Sequence, residues 1–233
     1  MQKIEDNNKL IKTGKNMKII HIIIIAIGAI FMILAGLHTN IWFDETYTLG
    51  LVNHNFIDLV KIGAADVHPL FYYVFAKFFT LFTGNSIISL RIFSILGMIV
   101  LSILGYTHIR KDFGEKTGII YSFLSMFLPV MLLYSSEIRM YSWAAVLVTL
   151  TGIYAYRIVR KESNKKNWTL FAIFSLLSAY THYFAMMAIG IINLMLFAYT
   201  IKNKKYIKEF LITGISQIVL FIPRINSIFK TST

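Results

Sequence analysis

Apolar residues fall in long runs along this chain, and the polar residues between them gather in short clusters. Runs near residues 18–38, 87–109, 117–134 and 138–158 each approach the length, about 20 residues, that an α-helix needs to cross a bilayer core. The stretch 169–200 is too long for one crossing and tight for two. Tyr180-Thr181-His182-Tyr183 lies near its middle, so two short spans are expected to meet around His182. A last span is predicted over 206–222. Pro223, which cannot supply the next helical hydrogen bond, is expected to end it and leave a polar tail over 224–233.

Residues 69–82 are ambiguous by length. At about 1.5 Å per residue they reach about 21 Å, short of a hydrocarbon core about 30 Å thick. Charge resolves the matter. If this stretch does not cross, then Arg110/Lys111/Lys116 and the basic clusters in 157–166 and 202–208 share a side with the N-terminal lysines. If it crosses, all three face outward, against the positive-inside rule. A helix lying in the outer interface is therefore expected here, with Lys77 snorkelling. Residues 46–62 predict a second interfacial helix, with Tyr47, Leu51, Phe56, Leu59 and Val60 as its apolar contacts. The expected fold is all-α: a multi-pass transmembrane helical protein with two interfacial helices in its first outer loop. Residues 1–17 form a cytoplasmic tail and 18–233 one membrane-embedded domain.

Composition agrees. Of 233 residues 57% are hydrophobic and 15% charged, more apolar than a soluble domain requires. The net charge of +12 lies in short clusters between apolar runs, so it reports topology and not a nucleic-acid partner. Cysteine is absent, which excludes a disulfide framework and thiolate chemistry. No small-residue cleavage site follows the first apolar run, where Trp42-Phe43-Asp44 is bulky. The first helix is thus expected to remain, anchoring a multi-pass protein of the cell membrane with its N-terminus in the cytoplasm and the polar site on the outer face.

Four polar clusters converge on that outer side: Asp44-Glu45, Asp66 with His68-Pro69, Glu137-Ile138-Arg139-Met140-Tyr141, and His182. Ionisable residues at membrane depth are costly and mark function. Asp44 is suited to accept a proton from a hydroxyl as general base, or to sit as a solvated acid at a helix start. His68-Pro69 reads as a helix opening whose free N–H groups attract anions, or as a simple capped start. Arg139 is suited to bidentate phosphate binding, or to an interfacial pairing with Glu137. The two are only two residues apart, so they do not share a helix face. His182 reads either as a ligand-facing imidazole or as a packed, hydrogen-bonded residue. Asp44, Glu45, Glu137, His68 and His182 could form a mixed oxygen/nitrogen metal site, but no local spacing requires one, and no cofactor is expected.

Five segments, in this order, carry a resemblance. They are Trp42-Phe43-Asp44-Glu45, His68-Pro69-Leu70-Phe71-Tyr72-Tyr73, the run 81–91 ending in Leu90-Arg91, Ser135-Ser136-Glu137-Ile138-Arg139-Met140-Tyr141, and Tyr180-Thr181-His182-Tyr183-Phe184. From Trp42 to Arg224 the chain resembles the C-type membrane glycosyltransferases, in the branch of the protein mannosyltransferases and aminoarabinose transferases. The resemblance implies transfer of a sugar from a polyprenyl-phosphate donor to a glycan, lipid or protein acceptor outside the cytoplasm. It implies that Asp44 acts at the acceptor with Glu45 as companion. His68, Arg139 and His182 then lie near the donor phosphate, supported by Asp66, Glu137 and Tyr141. Leu70 replaces the second proline of the family's His-Pro-Pro-type motif. Family members are usually longer, so the chain is expected to be incomplete at its C-terminus. The rivals are a lipid or small-solute transporter and an inactive fragment. Polar groups at one face, not at midplane, disfavour transport.

Overall fold

The computed structural model describes residues 2–37, 40–66, 68–160 and 163–231, and among them every regular element is a helix. The elements are α1 (Gln2–Leu37), α2 (Phe43–Asn53), α3 (Phe56–Ala65), α4 (Phe71–Thr83), α5 (Ile87–Leu104), a π-helical turn (Gly105–Ile109), and α6 (Arg110–Phe113). They continue with α7 (Glu115–Phe127), α8 (Pro129–Ser135), α9 (Tyr141–Arg160), α10 (Lys165–Ala179), α11 (Tyr183–Asn203) and α12 (Ile207–Thr231). Residues 2–17 of the expected tail belong to the backbone of α1, and Met1 lies outside the described residues.

Among the described residues four helical stretches are long and apolar enough to cross a membrane: Asn16–Gly36, Ile87–Phe113, Tyr141–Arg160 and Tyr183–Asn203. The all-helical, membrane-spanning class expected from the sequence is thus the class observed. The run 117–134 is broken into α7 and α8, bent by 56°. Its cause is local: Pro129 has no N–H to donate, and it drives Leu128 to an extended ψ of 133°. Residues 169–200 divide as expected, turning at Tyr180–His182, although α10 has only 15 residues. The expected last span also differs. Helix α12 runs through Pro223 to Thr231, and it is not among the four stretches. The Tyr180 hydroxyl donates to the Leu220 carbonyl, 2.8 Å away, in the turn that the proline disturbs.

The chain forms two compact units, each built from two separated stretches. One comprises 1–40 with 95–137 and the other 41–94 with 138–233. In the first unit small residues allow helices to meet closely. A Cβ on Gly105 would lie 2.7 Å from the Gly118 carbonyl, and a Cβ on Gly118 would lie 2.6 Å from the Gly105 carbonyl. Bulkier residues at either position would force α7 away from the π-helical turn.

In the second unit the stretch before α5 holds three short helices where two were expected. The single predicted helix over 46–62 breaks at His54-Asn55, because Asn55 caps α3. Its side-chain oxygen accepts from the Asp58 N–H at 3.0 Å. Helix α4 begins two residues after Pro69, with Leu70 at its cap. Its buried face, Tyr72, Tyr73, Ala76 and Thr80, repeats at helical spacing, while Phe78, Leu81 and Phe82 on the other side are exposed. Lys77 donates to the Val52 carbonyl at 2.9 Å and satisfies the C-terminal end of α2. A core of Leu51, Val52, Leu59, Tyr72, Tyr73, Leu90, Phe93, Ile138 and Met140 holds α2 to α4 against the start of α5 and the turn before α9. Phe75 packs edge-on to both Phe93 and Trp143, and the Trp143 indole donates to the Phe93 carbonyl at 3.0 Å.

Candidate functional site

Helix α2 opens at Trp42, so Asp44 and Glu45 occupy its first turn, where the free N–H groups favour acids. Successive helical residues point about 100° apart, and the two acids divide accordingly. Asp44 keeps 65% of its side-chain exposure. Glu45 keeps 2%. One Glu45 oxygen accepts from the Trp42 N–H at 2.8 Å and the other from the Ile138 N–H at 2.8 Å. Both oxygens of Glu45 are therefore engaged by backbone. That geometry suits it to holding the chain and leaves Asp44 as the acid open to a ligand.

The Ile138 contact fixes the turn that carries Arg139. Helix α9 starts at Tyr141, so Arg139 sits just outside it, 4% exposed, between the fully buried Ile138 and Met140. Its guanidinium reaches across to the first loop. Nη1 donates to the Asp44 carbonyl at 3.3 Å, and Nη2 donates to His68 Nε2 at 3.1 Å. Nη2 also lies 3.9 Å from the Asp44 carboxylate, the outer limit of an ion pair. Arginine has no acceptor, so His68 Nε2 must accept and Nδ1 must carry the proton. Nδ1 lies 3.3 Å from Asp66 Oδ2, which also accepts from the Tyr73 hydroxyl at 3.4 Å. Burial pushes the Tyr73 phenol well above its ordinary value, which keeps it a donor. Asp66, His68 and Arg139 thus form one directed chain of hydrogen bonds.

His182 closes the cluster. It caps α11, and its Nδ1 accepts from the Phe184 N–H at 3.2 Å, so the neutral ring carries its proton on Nε2. Its ring stacks on His68 with centroids 6.3 Å apart and meets the edge of Tyr141 at 5.7 Å. Burial, then His68 and Arg139, hold its pKa below the usual 6.5. The Phe71 N–H, which a bare helix start would offer to an anion, is taken by the Tyr180 carbonyl at 3.0 Å. Of the residues predicted from sequence, Asp44, Glu45, Asp66, His68, Arg139, Tyr141 and His182 are brought together in this unit. Glu137, half-buried, belongs to the other unit. Among the described residues no group of three or more His, Asp or Glu side chains could hold a metal ion.

Sequence reasoning missed Arg224, assigning it to a tail beyond Pro223. It is 4% exposed on α12 and bonded to the His68 loop. The signal available was a lone arginine directly following an apolar run.

Apolar helices of spanning length beside a buried arginine–histidine cluster define a polytopic membrane protein with a site suited to an anion. The family model for dolichyl-phosphate-mannose-protein mannosyltransferase matches residues 67–226, more than half of the chain, and the chain belongs to that family of membrane glycosyltransferases. The matched stretch includes His68, Arg139, His182 and Arg224, and Asp44 and Glu45 precede it. No curated protein and no solved structure matches the chain.

The lowered pKa of His182 has a consequence for stability. The unfolded chain takes up a proton at about pH 6.5, before folded His182 does, so stability present above that pH is lost as pH falls further. In His182→Asn the amide oxygen can still accept from the Phe184 N–H, and this loss disappears. Thermal unfolding in detergent from about pH 7.5 to about pH 5 should show a smaller acid-induced drop for the variant than for the wild type. Parallel curves would remove His182 from the account.

Proposed function

We propose that this chain transfers a sugar from a polyprenyl-phosphate carrier to an acceptor hydroxyl on a glycan, lipid or protein at the outer face of the cell membrane. Arg139 carries the reading. Its guanidinium is buried, yet its partners are a carbonyl, a neutral imidazole and a carboxylate only at 3.9 Å. A buried cation so weakly compensated is suited to a phosphate.

In the reaction the acceptor oxygen attacks the anomeric carbon while the bond from that carbon to the phosphate oxygen breaks. Asp44, exposed at the start of α2, takes the acceptor proton. Negative charge grows on the departing polyprenyl phosphate, where Arg139 and the Nε2–H of His182 stabilise it. His68, held by Asp66, orients Arg139. Attack opposite the leaving group inverts the anomeric centre. Residues 18–233 form the membrane-embedded part, with α2 to α4 in the outer interface and the loops containing Arg110–Lys116, Arg157–Lys166 and Lys202–Lys208 in the cytoplasm.

Two measurements test this. The chain has no cysteine, so single cysteines can be labelled from one side. A cysteine at Asn53 should react with an impermeant external reagent and one at Asn164 should not; the reverse pattern refutes the orientation. For the chemistry, Asp44→Asn should lower sugar transfer from a polyprenyl-phosphate donor in liposomes by about 10²–10⁴-fold while the fold persists. Arg139→Lys should recover only part of what Arg139→Ala loses, because the planar fork is gone. Near-normal turnover of Asp44→Asn would rule Asp44 out as the base.

A further inference from the structure

We propose that Arg224, on the last helix, is the positioning residue that sets His68 against His182; the proposal rests on the reading of these histidines as parts of the donor-phosphate site. Nη1 donates to the Ala64 carbonyl at 3.1 Å. Nη2 is shared among the carbonyls of Asp66, at 2.8 Å, and His68, at 3.0 Å, and the Tyr183 hydroxyl, at 3.0 Å.

Ala64 and Asp66 stand at the C-terminal end of α3, whose last turn has carbonyls without helical donors. A cation there also meets the negative end of the helix dipole. Arg224 therefore caps α3, and the same guanidinium continues to the next carbonyls of the loop. It binds the main chain of Asp66 and His68 and leaves the Asp66 carboxylate to the His68 ring. Through Tyr183 it also holds the residue that follows His182. The Phe71 N–H bond to the Tyr180 carbonyl, at 3.0 Å, is a second tie between the same two loops.

The hydrogen bonds of Arg224 decide its role. It is as buried as Arg139, but its terminal nitrogens are taken up by main-chain carbonyls and the Tyr183 hydroxyl, whereas those of Arg139 meet one carbonyl and one imidazole, which suits Arg224 to positioning and Arg139 to a ligand. Arg224 acts through others, by fixing the loop carbonyls and hence the two ring planes, 26° apart. One planar fork spans these oxygens. A lysine would supply the same charge at a single point and could not reach them together.

The test separates positioning from the functional reading. Nitrogen NMR of histidine-labelled protein in detergent reports which ring nitrogen is protonated, without any turnover. Signals are assigned with His68→Asn and His182→Asn. Wild type should show His68 protonated at Nδ1 and His182 at Nε2. In Arg224→Lys the His68 signals should average between the two forms, and transfer should fall by about 10²-fold, as a misplacement of about 1 Å would cause. Tyr183→Phe, which removes one of its hydrogen-bond partners, should give a smaller change of the same kind. It also serves where a variant at position 224 fails to fold. Wild-type signals and wild-type turnover in Arg224→Lys would overturn the proposal, since charge alone would then suffice. Altered signals in a chain whose wild type transfers no sugar would uphold the positioning role and overturn the glycosyltransferase reading.

Discussion

The buried carboxylate of Glu45 is the constraint on which the site depends. Its two oxygens accept from backbone N–H groups 96 residues apart in the chain, at Trp42 and Ile138. A carboxylate at 2% exposure is costly unless it is hydrogen-bonded, and two charge-assisted bonds offset that cost. The result is geometric. The start of α2 is brought to the turn before α9, and Arg139, flanked by buried Ile138 and Met140, turns toward Asp44 and His68.

From that junction the rest follows by direction of donation. Arg139 can only donate, so His68 presents a bare Nε2 to it and its proton to Asp66. His182 is held in the opposite form by the Phe184 N–H, which leaves its proton on Nε2. Two stacked imidazoles thus carry complementary hydrogen-bonding faces. Asp44 stays exposed beside them because its neighbour has taken the inward position. Three structural ties, Glu45, Arg224 and the Phe71–Tyr180 bond, hold the groups proposed to act on the substrate.

Much of this was legible in the sequence, for identifiable reasons. The apolar runs announced the helical membrane class because bilayer thickness fixes their length. The polar clusters stood out because charges are rare in such a chain. The division of labour between Asp44 and Glu45 was not legible, since it depends on an N–H group 93 positions further on. Arg224 was hidden by a rule that usually holds, that proline stops a helix; here α12 continues past Pro223. The break between α2 and α3 was signalled by Asn55 followed three residues later by Asp58, a capping pattern that the apolar periodicity of 46–62 outweighed.

The central claim is that Arg139 and its histidines recognise a lipid phosphate. Equilibrium binding in detergent would compare a short-chain polyprenyl monophosphate with the corresponding polyprenol, using wild type and Arg139→Ala. Loss of a charge-assisted contact of about 1.5–3 kcal/mol corresponds to about 10–150-fold. The phosphate should therefore bind wild type tighter than the alcohol by at least that order, and Arg139→Ala should lose about that factor of the preference while its affinity for the alcohol stays the same. Equal affinity of wild type for phosphate and alcohol would contradict the account.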